Sequence, residues 1–481
     1  MRKRLSKRGV GQRRLEIGQP ARDPNDTVTR PEGNREVASS GGAPVSDRSQ
    51  EQPPPKEVKS SRKKKAYSLY DKVYREDNLW RAWERVKANQ GAPGSDGVSI
   101  EQFAGKAEPE IAKLSQQLRE KTYQPRPVRR RTIEKPGGGA RHLGIPSVRD
   151  RIVQQAVLQV IEPYYEPKFS ERSHGFRPGR GCKTALQIAD RAVLHYDWIV
   201  DLDIESFFDT VDHELLLSAV NEEIADGSVL RLIRKMLKAG VLILPGQWEP
   251  TEVGTPQGGP LSPLLANLYL HRFDVAMQEQ GHRHLRYADD VVFFAHSEQE
   301  AAQALQAARQ VLEEQLKLRV HPTKTQVILL DQGFDFLGFR YFRDRKGQLQ
   351  KIVRKKSSER FREAIRRRTR RNAGQRPPKA KRMTLARLKK NRHAGLMVQS
   401  VNAYLRGWHW YFKQIRTNWN VFRELDQFTR RRVRSALSGR FATGSWHQIL
   451  TNQFLAALGL LSVEALQNQH AQQMLTAPHR A

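Results

Sequence analysis

The chain has 481 residues, enough for about three domains of ordinary size. Its 84 Lys and Arg residues against 51 Asp and Glu residues give a formal charge of +33, which points to a polyanionic partner, nucleic acid above all. A basic membrane-surface protein is the competing class, but no apolar run approaches the roughly 18–20 residues of a spanning helix, and no secretory signal is evident. The single cysteine, Cys182, excludes intrachain disulfides and cysteine-rich zinc sites and favours a reducing, cytoplasmic setting.

Residues 1–65 are rich in Arg, Lys, Ser, Gly and Pro and end in a basic run. Their apolar content is too low to offset the entropy lost on ordering, so we expect this extension to be disordered. Two roles stay open for it, an RNA-binding arm or a solubilising tail without a function of its own.

Helical spacing of apolar residues begins after Tyr67 and continues to Val86. A glycine-rich loop follows at 91–97, and a further helix is predicted over 101–121. Helices and strands then mix up to about Phe342, which predicts an α+β fold.

Several helix starts can be predicted within this mixed region. Ser262-Pro263 is typical of an N-cap followed by proline at the first helical position, and Ser297 with Glu300 predicts a capping box. Asp212-His213 is expected to begin a helix rather than to act in catalysis.

Two predicted strand ends carry carboxylates. The stretch 197–204 is typical of a strand and contains Asp203, while Asp289 and Asp290 lie next to the apolar run 291–294. Two adjacent like charges beside a buried strand are costly unless a cation lies close to them, and such oxygen ligands suit Mg²⁺. The Asp pair alone is a weak motif, but with Asp203 it would form the three-carboxylate site of a two-metal phosphoryl-transfer centre.

The segment 340–392 contains 23 Lys and Arg residues against three acids, Asp344, Glu359 and Glu363. It is predicted to be helical, with breaks at Gly374 and at Pro377-Pro378, and its one-sided charge suits a groove along a phosphate backbone. A solvated helix face is the alternative.

Residues 395–460 interleave aromatic rings with cations. Such rings can stack on unpaired bases or form a helical core, and we expect about half of them to be core.

Taken in order, these motifs resemble those of the reverse transcriptases encoded by bacterial and organellar group II introns. The matching runs lie at 91–97, 135–146, 173–180, 203–209, 254–263, 287–290, 336–339 and 405–412, within a resemblance that extends over residues 67–460. The most recognisable runs are Thr-Pro-Gln-Gly-Gly-Pro-Leu-Ser-Pro at 255–263 and Tyr-Ala-Asp-Asp at 287–290.

The resemblance implies a right-hand polymerase with fingers and an antiparallel palm sheet, followed by an all-α thumb and a helical maturase domain. The boundaries it suggests are 1–65 for the disordered basic extension, 66–342 for fingers and palm, 343–394 for the basic helical thumb, and 395–481 for the maturase domain and tail.

The resemblance also implies roles for individual residues. Asp203, Asp289 and Asp290 would be catalytic and would hold two Mg²⁺ ions, with the backbone carbonyl of Ile204 completing the set. Asp201 is the less favoured ligand beside Asp203. The expected nucleotide-binding residues are Lys135, Arg141, Phe208, Gln257 and Gly258. The Phe208 ring would stand against the 2′ position of the sugar and reject ribonucleotides. The expected RNA-binding residues are Arg366, Arg367, Arg370, Arg371, Arg406, Trp408, Lys413 and Arg416.

The expected reaction is RNA-templated addition of deoxynucleoside triphosphates to a DNA or RNA 3′ end, in the cytoplasm and at the nucleoid during mobility. The expected partners are intron RNA, an RNA template and a DNA primer or target, without a membrane. The oligomeric state, a homodimer included, stays open.

Two rival functions are a domesticated polymerase without an intron, used in DNA repair or phage defence, and a splicing cofactor with a vestigial polymerase. Many relatives end in an endonuclease with paired cysteines, so with Cys182 alone we expect no second-strand cleavage by this protein.

Overall fold

The computed structural model describes residues 65–134, 140–244, 247–370, 384–415, 420–438 and 450–476. Apart from Lys65, the basic extension that is predicted to be disordered lies outside these residues. The helix breaks predicted at Gly374 and at Pro377-Pro378 lie outside them as well. The helices are α1 Tyr70–Tyr74, α2 Glu76–Ala88, α3 Ile100–Ala104, α4 Ala107–Arg119, α5 Val148–Tyr165, α6 Cys182–Ala192, α7 Phe207–Thr210, α8 His213–Asn221, α9 Gly227–Leu237, α10 Ser262–Glu279, α11 Glu298–Arg309, α12 Lys355–Arg368, α13 Leu385–Lys390, α14 Arg392–Phe412, α15 Asn420–Ser438, α16 Asn452–Ala457 and α17 Val463–Thr476. The strands are β1 Val128–Glu134, β2 Ala140–Ile145, β3 Trp198–Asp203, β4 Val241–Leu244, β5 Gln247–Glu249, β6 His284–Tyr287, β7 Asp290–Ala295, β8 Gln326–Leu329, β9 Phe334–Phe336, β10 Phe339–Arg343 and β11 Leu349–Val353.

The chain divides into two compact units, each built from two separate stretches. The first unit comprises Met1–Phe169 with Ser206–Leu270, and the second comprises Ser170–Glu205 with His271–Ala481. The boundaries suggested at 342 and 394 both lie inside the second unit. The two stretches of that unit are joined because strand β3 pairs with strands that follow it by about 90 to 130 residues. Long-range strand pairing of this kind is not visible in local sequence patterns.

In the first unit, a four-stranded sheet has the order β2-β1-β4-β5. Strands β1 and β2 form an antiparallel hairpin with Glu134 opposite Ala140, while β1 and β4 run parallel. Helix α5 begins at the N-cap Ser147, and Asp150 in its first turn is buried with a hydrogen bond from Tyr123. The predicted helix start at Asp212 is confirmed, since its carboxylate accepts hydrogen bonds from two backbone amides of the first turn of α8.

In the second unit, a four-stranded sheet has the order β6-β7-β3-β8, and each neighbouring pair is antiparallel. Strand β3 carries fully buried Ile199 and Val200, as expected for a central strand packed on both faces. The expected α+β class and antiparallel palm sheet are confirmed. Strands β6 and β7 match the two short strands predicted around the Asp pair. The Ser297 side chain caps α11 by accepting from Glu300 N, as predicted, but the Glu300 carboxylate accepts from His296 N, so the predicted capping box forms only in part.

A second, three-stranded sheet corrects the expectation that the thumb is helical throughout. Residues 349–353 form strand β11, which pairs along its whole length with β10, and the first helix of this region starts only at Lys355. Gly347, with φ +73°, makes the turn that joins these two strands, since glycine adopts positive φ without a steric penalty. Strands β9 and β10 meet at the two-residue loop Leu337-Gly338, where both residues have positive φ, as in a type I′ hairpin.

The remaining helices confirm the helical character expected after the thumb. Buried residues from the palm sheet, from the three-stranded sheet and from α12, α14 and α15 belong to one apolar cluster, which includes Val292, Phe339, Phe361, Trp408 and Phe422. The core of the second unit is therefore continuous across the boundaries suggested by sequence, and burial of its aliphatic and aromatic side chains stabilises it.

Candidate active site

Asp203 and Asp290 face each other across two neighbouring strands. Asp203 is the last residue of β3, Asp290 is the first of β7, and the two form a direct antiparallel pair. Residues paired in this way lie on the same face of a sheet with Cα atoms about 4.5–5.5 Å apart. The sheet therefore brings together two carboxylates that lie 87 positions apart in sequence.

Asp289 lies in the tight turn that connects β6 to β7. Tyr287 pairs with Asp290, so the turn consists of Ala288 and Asp289 alone. Ala288 has φ +58°, a left-handed conformation that is unfavourable for a residue with a Cβ atom. A short turn with this geometry places Asp289 next to the Asp203–Asp290 pair, at the edge of the sheet.

The negative charges of this sheet edge act on a third carboxyl. Burial, followed by the charges of Asp290 and Asp203, raises the pKa of Asp201 to about 7. Asp201 lies two residues before Asp203 and so projects to the same face of β3. Carboxylates this close together repel one another unless a cation lies near them. This repulsion favours the binding of a divalent metal.

The donor set suits Mg²⁺ in its usual mode of binding. Within the described ranges, no three His, Cys, Asp or Glu side chains converge to hold a metal by themselves. Magnesium is typically bound through one or two carboxylates, with water and substrate phosphates completing its octahedron. The opposed Asp203 and Asp290, with Asp289 in the adjoining turn, fit that mode.

Ile204 follows Asp203 in an isolated antiparallel bridge with Val320. The two hydrogen bonds of this bridge run from His321 N to Asp203 O and from Glu205 N to Arg319 O, at 2.8 Å each. The bridge leaves the carbonyl of Ile204 unused, which is compatible with its predicted role as a ligand.

Lys324 contacts the carboxylates of this edge from a loop that precedes β8. Its Nζ lies 2.9 Å from Asp203 Oδ2, and both side chains are partly exposed. The ammonium supplies one of the positive charges that this edge requires.

The first unit holds Phe208 and the loop that begins at Gly254. Thr255 N donates to Phe208 O at 2.7 Å, Gly254 N donates to Val211 O at 2.8 Å, and buried His213 bonds the carbonyl of Gly254 through Nε2 at 2.7 Å. A Cβ atom on Gly254, which has φ +87°, would lie 2.9 Å from Phe208 O. Phe208 and this loop are therefore locked together by backbone contacts that only glycine permits.

Gln257 and Gly258 contact the hairpin of β1 and β2. Gly144 N donates to Gln257 O at 3.0 Å, and a Cβ atom on Gly258, which has φ +137°, would lie 2.8 Å from Gly144 O. A cavity of about 440 Å³ lies here, with Phe208, Gly144 and Gln257 in its lining. Lys135 lies outside the described residues, as does the side chain of Arg141 on β2.

Most of the expected RNA-binding cations that the structure describes are exposed. Arg366 and Arg367 lie in the last turn of α12, Arg370 follows that helix, and Arg406 lies on α14. Lys413 is half-buried just after α14, and Arg371 and Arg416 lie outside the described residues.

Trp408 is a core residue, so the prediction that its ring contacts RNA is wrong. Its ring centroid lies 4.9 Å from that of Phe361 and 4.5 Å from that of Phe412, and the side chain is 7% exposed. The exposed ring on α14 is Trp410, at 54%. Trp410 shares a helix face with Arg406 and Lys413, because the three are spaced by four and three residues.

Sequence reasoning missed two buried residues beside the Ala288–Asp289 turn, Arg286 and Asp274. Arg286 interrupts the apolar lead-in to the Asp pair, and Asp274 lies on α10 directly after Phe273, which is fully buried. A charge within an apolar pattern was the available signal, since charged residues are rarely buried unless paired. Lys324 had no such signal.

Among the described residues, no helix is both long and apolar enough to cross a bilayer.

Comparison with known proteins agrees with this geometry. Residues 133–341 match the family described as reverse transcriptase (RNA-dependent DNA polymerase), and residues 379–454 match the group II intron maturase-specific domain. Protein YkfC of Escherichia coli (strain K12) is 35% identical over 292 residues, which are 53% of this chain and 76% of that protein. The group II intron-encoded protein LtrA of Lactococcus lactis subsp. cremoris is 43% identical over 207 residues, which are 43% of this chain but only 34% of LtrA. The chain belongs to the group II intron family of RNA-dependent DNA polymerases, with a reverse transcriptase domain followed by a maturase-specific domain.

Proposed function

We propose that this protein copies RNA into DNA at an active site formed by Asp203, Asp289 and Asp290, and that it also binds an intron RNA and stabilises its splicing-competent form. The observation that carries the proposal is the direct pairing of Asp203 with Asp290 at one sheet edge, with Asp289 in the adjoining turn.

The carboxylates would hold two Mg²⁺ ions, to which the carbonyl of Ile204 would add a ligand. When bound, such ions lower the pKa of a primer 3′-hydroxyl and neutralise charge on the leaving pyrophosphate. The chain itself supplies the fixed geometry, because strand pairing and a two-residue turn hold the carboxylates before substrate arrives.

Nucleotide selection would lie with the residues of the first unit. Phe208 would exclude the 2′-hydroxyl of a ribonucleotide by its bulk, and Gln257 and Gly258 would shape the pocket of the incoming nucleotide. Lys135 and Arg141 would bind its triphosphate, the arginine through its planar fork. The cavity lined by Phe208 and Gln257 supports this assignment.

RNA binding would use the cations of α12 and α14 with the exposed ring of Trp410. Cations can contact phosphates, and an exposed indole can stack on an unpaired base. Because these residues belong to helices and not to the carboxylate edge, the two activities should be separable.

The test is the double variant Asp289→Ala/Asp290→Ala, compared with Glu359→Ala, which removes an exposed acid from α12. Primer extension on an RNA template should be lost in the double variant and retained in the control. Binding of the RNA that co-purifies with the protein should survive in both. Robust extension by the double variant would refute the carboxylate assignment, and parallel loss of RNA binding would refute the separation of activities.

The identity of the partners can be tested on the purified protein. We expect the co-purified RNA to be an intron that surrounds the coding sequence, and the primer to be chromosomal DNA, which would bring the protein to the nucleoid during mobility. Sequencing of that RNA checks the first expectation, and light scattering of the complex distinguishes a monomer from a homodimer.

A further inference from the structure

We propose that Arg286, anchored by Asp274, is a positioning residue that sets the location of Asp289 by binding the carbonyl of Ala288. The inference rests on the proposed function of the Asp pair. It concerns residues that lie behind the catalytic turn and touch no substrate.

The guanidinium of Arg286 joins a helix to the turn. Arg286 on β6 and Asp274 on α10 are both fully buried, and Arg286 Nε donates to Asp274 Oδ1 at 2.8 Å. Arg286 Nη1 donates to the carbonyl oxygen of Ala288 at 2.9 Å. One rigid side chain thus links α10 to the residue directly before Asp289.

Asp274 is held in its ionised form. Burial alone would raise the pKa of Asp274, but the charge and hydrogen bonds of Arg286 and His284 outweigh it and hold that pKa at about 2. His284 contributes through Nε2, 3.2 Å from Asp274 Oδ1. An ionised Asp274 keeps the planar guanidinium in one orientation, so its remaining N–H groups point in fixed directions.

The turn needs this support because its conformation is unfavourable on its own. A left-handed conformation is unfavourable for alanine, because its Cβ atom crowds the following carbonyl oxygen. From the other side, the backbone of Gly175 lies so close that a Cβ atom there would be 2.3 Å from Ala288 N. The segment before Gly175 is itself tied to Arg286, since Arg286 N donates to Arg172 O and His174 N donates to Arg286 O, each at 2.9 Å.

Well-packed apolar residues can often replace a buried ion pair at little or no cost in stability. Apolar residues here could neither donate a hydrogen bond to Ala288 O nor bond His284 Nε2, and only the first of these two bonds acts on the turn that carries Asp289. This difference separates a positioning role from a purely structural one.

The experiment compares Arg286→Lys and the double variant Arg286→Met/Asp274→Leu with the wild-type protein. Lysine keeps the charge next to Asp274 but lacks the fork that reaches two acceptors, and the double variant removes both charges together. Thermal unfolding and RNA binding report on the fold, Mn²⁺ binding followed by electron paramagnetic resonance reports on the carboxylates, and primer extension yields kcat and the KM for deoxynucleotide.

We expect folded variants with wild-type RNA binding, weaker Mn²⁺ binding and a kcat reduced roughly tenfold to hundredfold, as expected for a misplaced reacting group. The KM for deoxynucleotide should change little. A folded variant of either kind with wild-type kcat and Mn²⁺ affinity would overturn the inference, and Arg286→Lys serves if the double variant does not fold. If the Asp289→Ala/Asp290→Ala variant binds Mn²⁺ as tightly as the wild-type protein does, the proposed function fails instead.

Discussion

The ammonium of Lys324 lies 2.9 Å from a carboxylate oxygen of Asp203, at the edge where the polymerase is expected to bind its metal ions. A lysine and a divalent cation that neutralise the same carboxylate compete for it. Lys324 therefore balances charge at the active site whenever no metal is bound.

Replacement of Lys324 by methionine should tighten Mn²⁺ binding. Exposed ion pairs are worth roughly 0.2–1 kcal/mol, so the gain should be about 1.4-fold to fivefold at low ionic strength and smaller in high salt. Electron paramagnetic resonance titration of Mn²⁺ measures it. Lys389→Met, an exposed lysine of α13, is the control for loss of one positive charge, and equal affinities in the two variants would show that Lys324 does not compete.

Replacement of Phe208 by valine should relax the choice of sugar. A smaller side chain leaves room for a 2′-hydroxyl, and discrimination that rests on shape amounts to roughly 10–200-fold. The ratio of kcat/KM for deoxynucleotide and ribonucleotide is the quantity to measure. The control is Phe103→Leu, since the buried Phe103 ring packs against Trp83 and not against Phe208. An unchanged ratio in Phe208→Val would remove Phe208 from nucleotide selection.

The Gly175→Ala change should impair polymerisation without unfolding the protein. Its new methyl group would collide with Ala288 N, so the turn that carries Asp289 must shift at a cost of about 1–3 kcal/mol. Gly181→Ala is a close control, because a Cβ atom at Gly181 meets no atom within 4 Å. We expect reduced kcat and weaker Mn²⁺ binding for the first variant alone, and comparable activity in both would contradict the close contact.

Two tryptophans on α14 should respond in opposite ways to alanine substitution. Trp410→Ala should weaken RNA binding by about 1–3 kcal/mol, the worth of one stacked base, and leave thermal stability unchanged. Trp408→Ala should destabilise the second unit by roughly 3–5 kcal/mol, because it leaves a cavity in the core. Filter binding and thermal unfolding of both variants check this, and unaltered RNA affinity in Trp410→Ala would exclude a stacking role for that ring.

Stability should decrease as the pH falls from 6.5 toward 4, in part because of His174. Burial, with help from the charges of Arg180 and Arg177, lowers the pKa of His174 to about 4, whereas an imidazole in the unfolded chain titrates near 6.5. In this range the unfolded chain binds more protons than the folded one, so protonation favours unfolding. The urea midpoint at pH 7 and pH 5 should therefore differ less in His174→Gln than in the wild type. The exposed His393 offers a control, and an identical pH response in His174→Gln and His393→Gln would contradict the assignment.

Local sequence determined much of the chemistry. Asp289 and Asp290 could be predicted as a site because two adjacent carboxylates before an apolar strand require a cation. The helix caps at Ser297 and Asp212 could be predicted because they depend on residues a few positions apart. The strands around the Asp pair follow from their apolar runs, and the loop at 91–97 from its glycines. Such features have short-range causes, so the sequence alone was sufficient to predict them.

Long-range pairing decided the rest. Only the register of β3 with β7 places Asp203 opposite Asp290, and only the packing of α14 on α12 separates buried Trp408 from exposed Trp410. The hairpin that replaces the first part of the predicted thumb helix depends on pairing of β11 with β10, which overrides the basic composition of that segment. The support for the Ala288–Asp289 turn combines Gly175 with Asp274 and Arg286, which follow it by about 100 residues in sequence. The residues proposed to perform the chemistry could therefore be predicted from the sequence, whereas the residues that hold them in place could be found only from the packing of the folded chain.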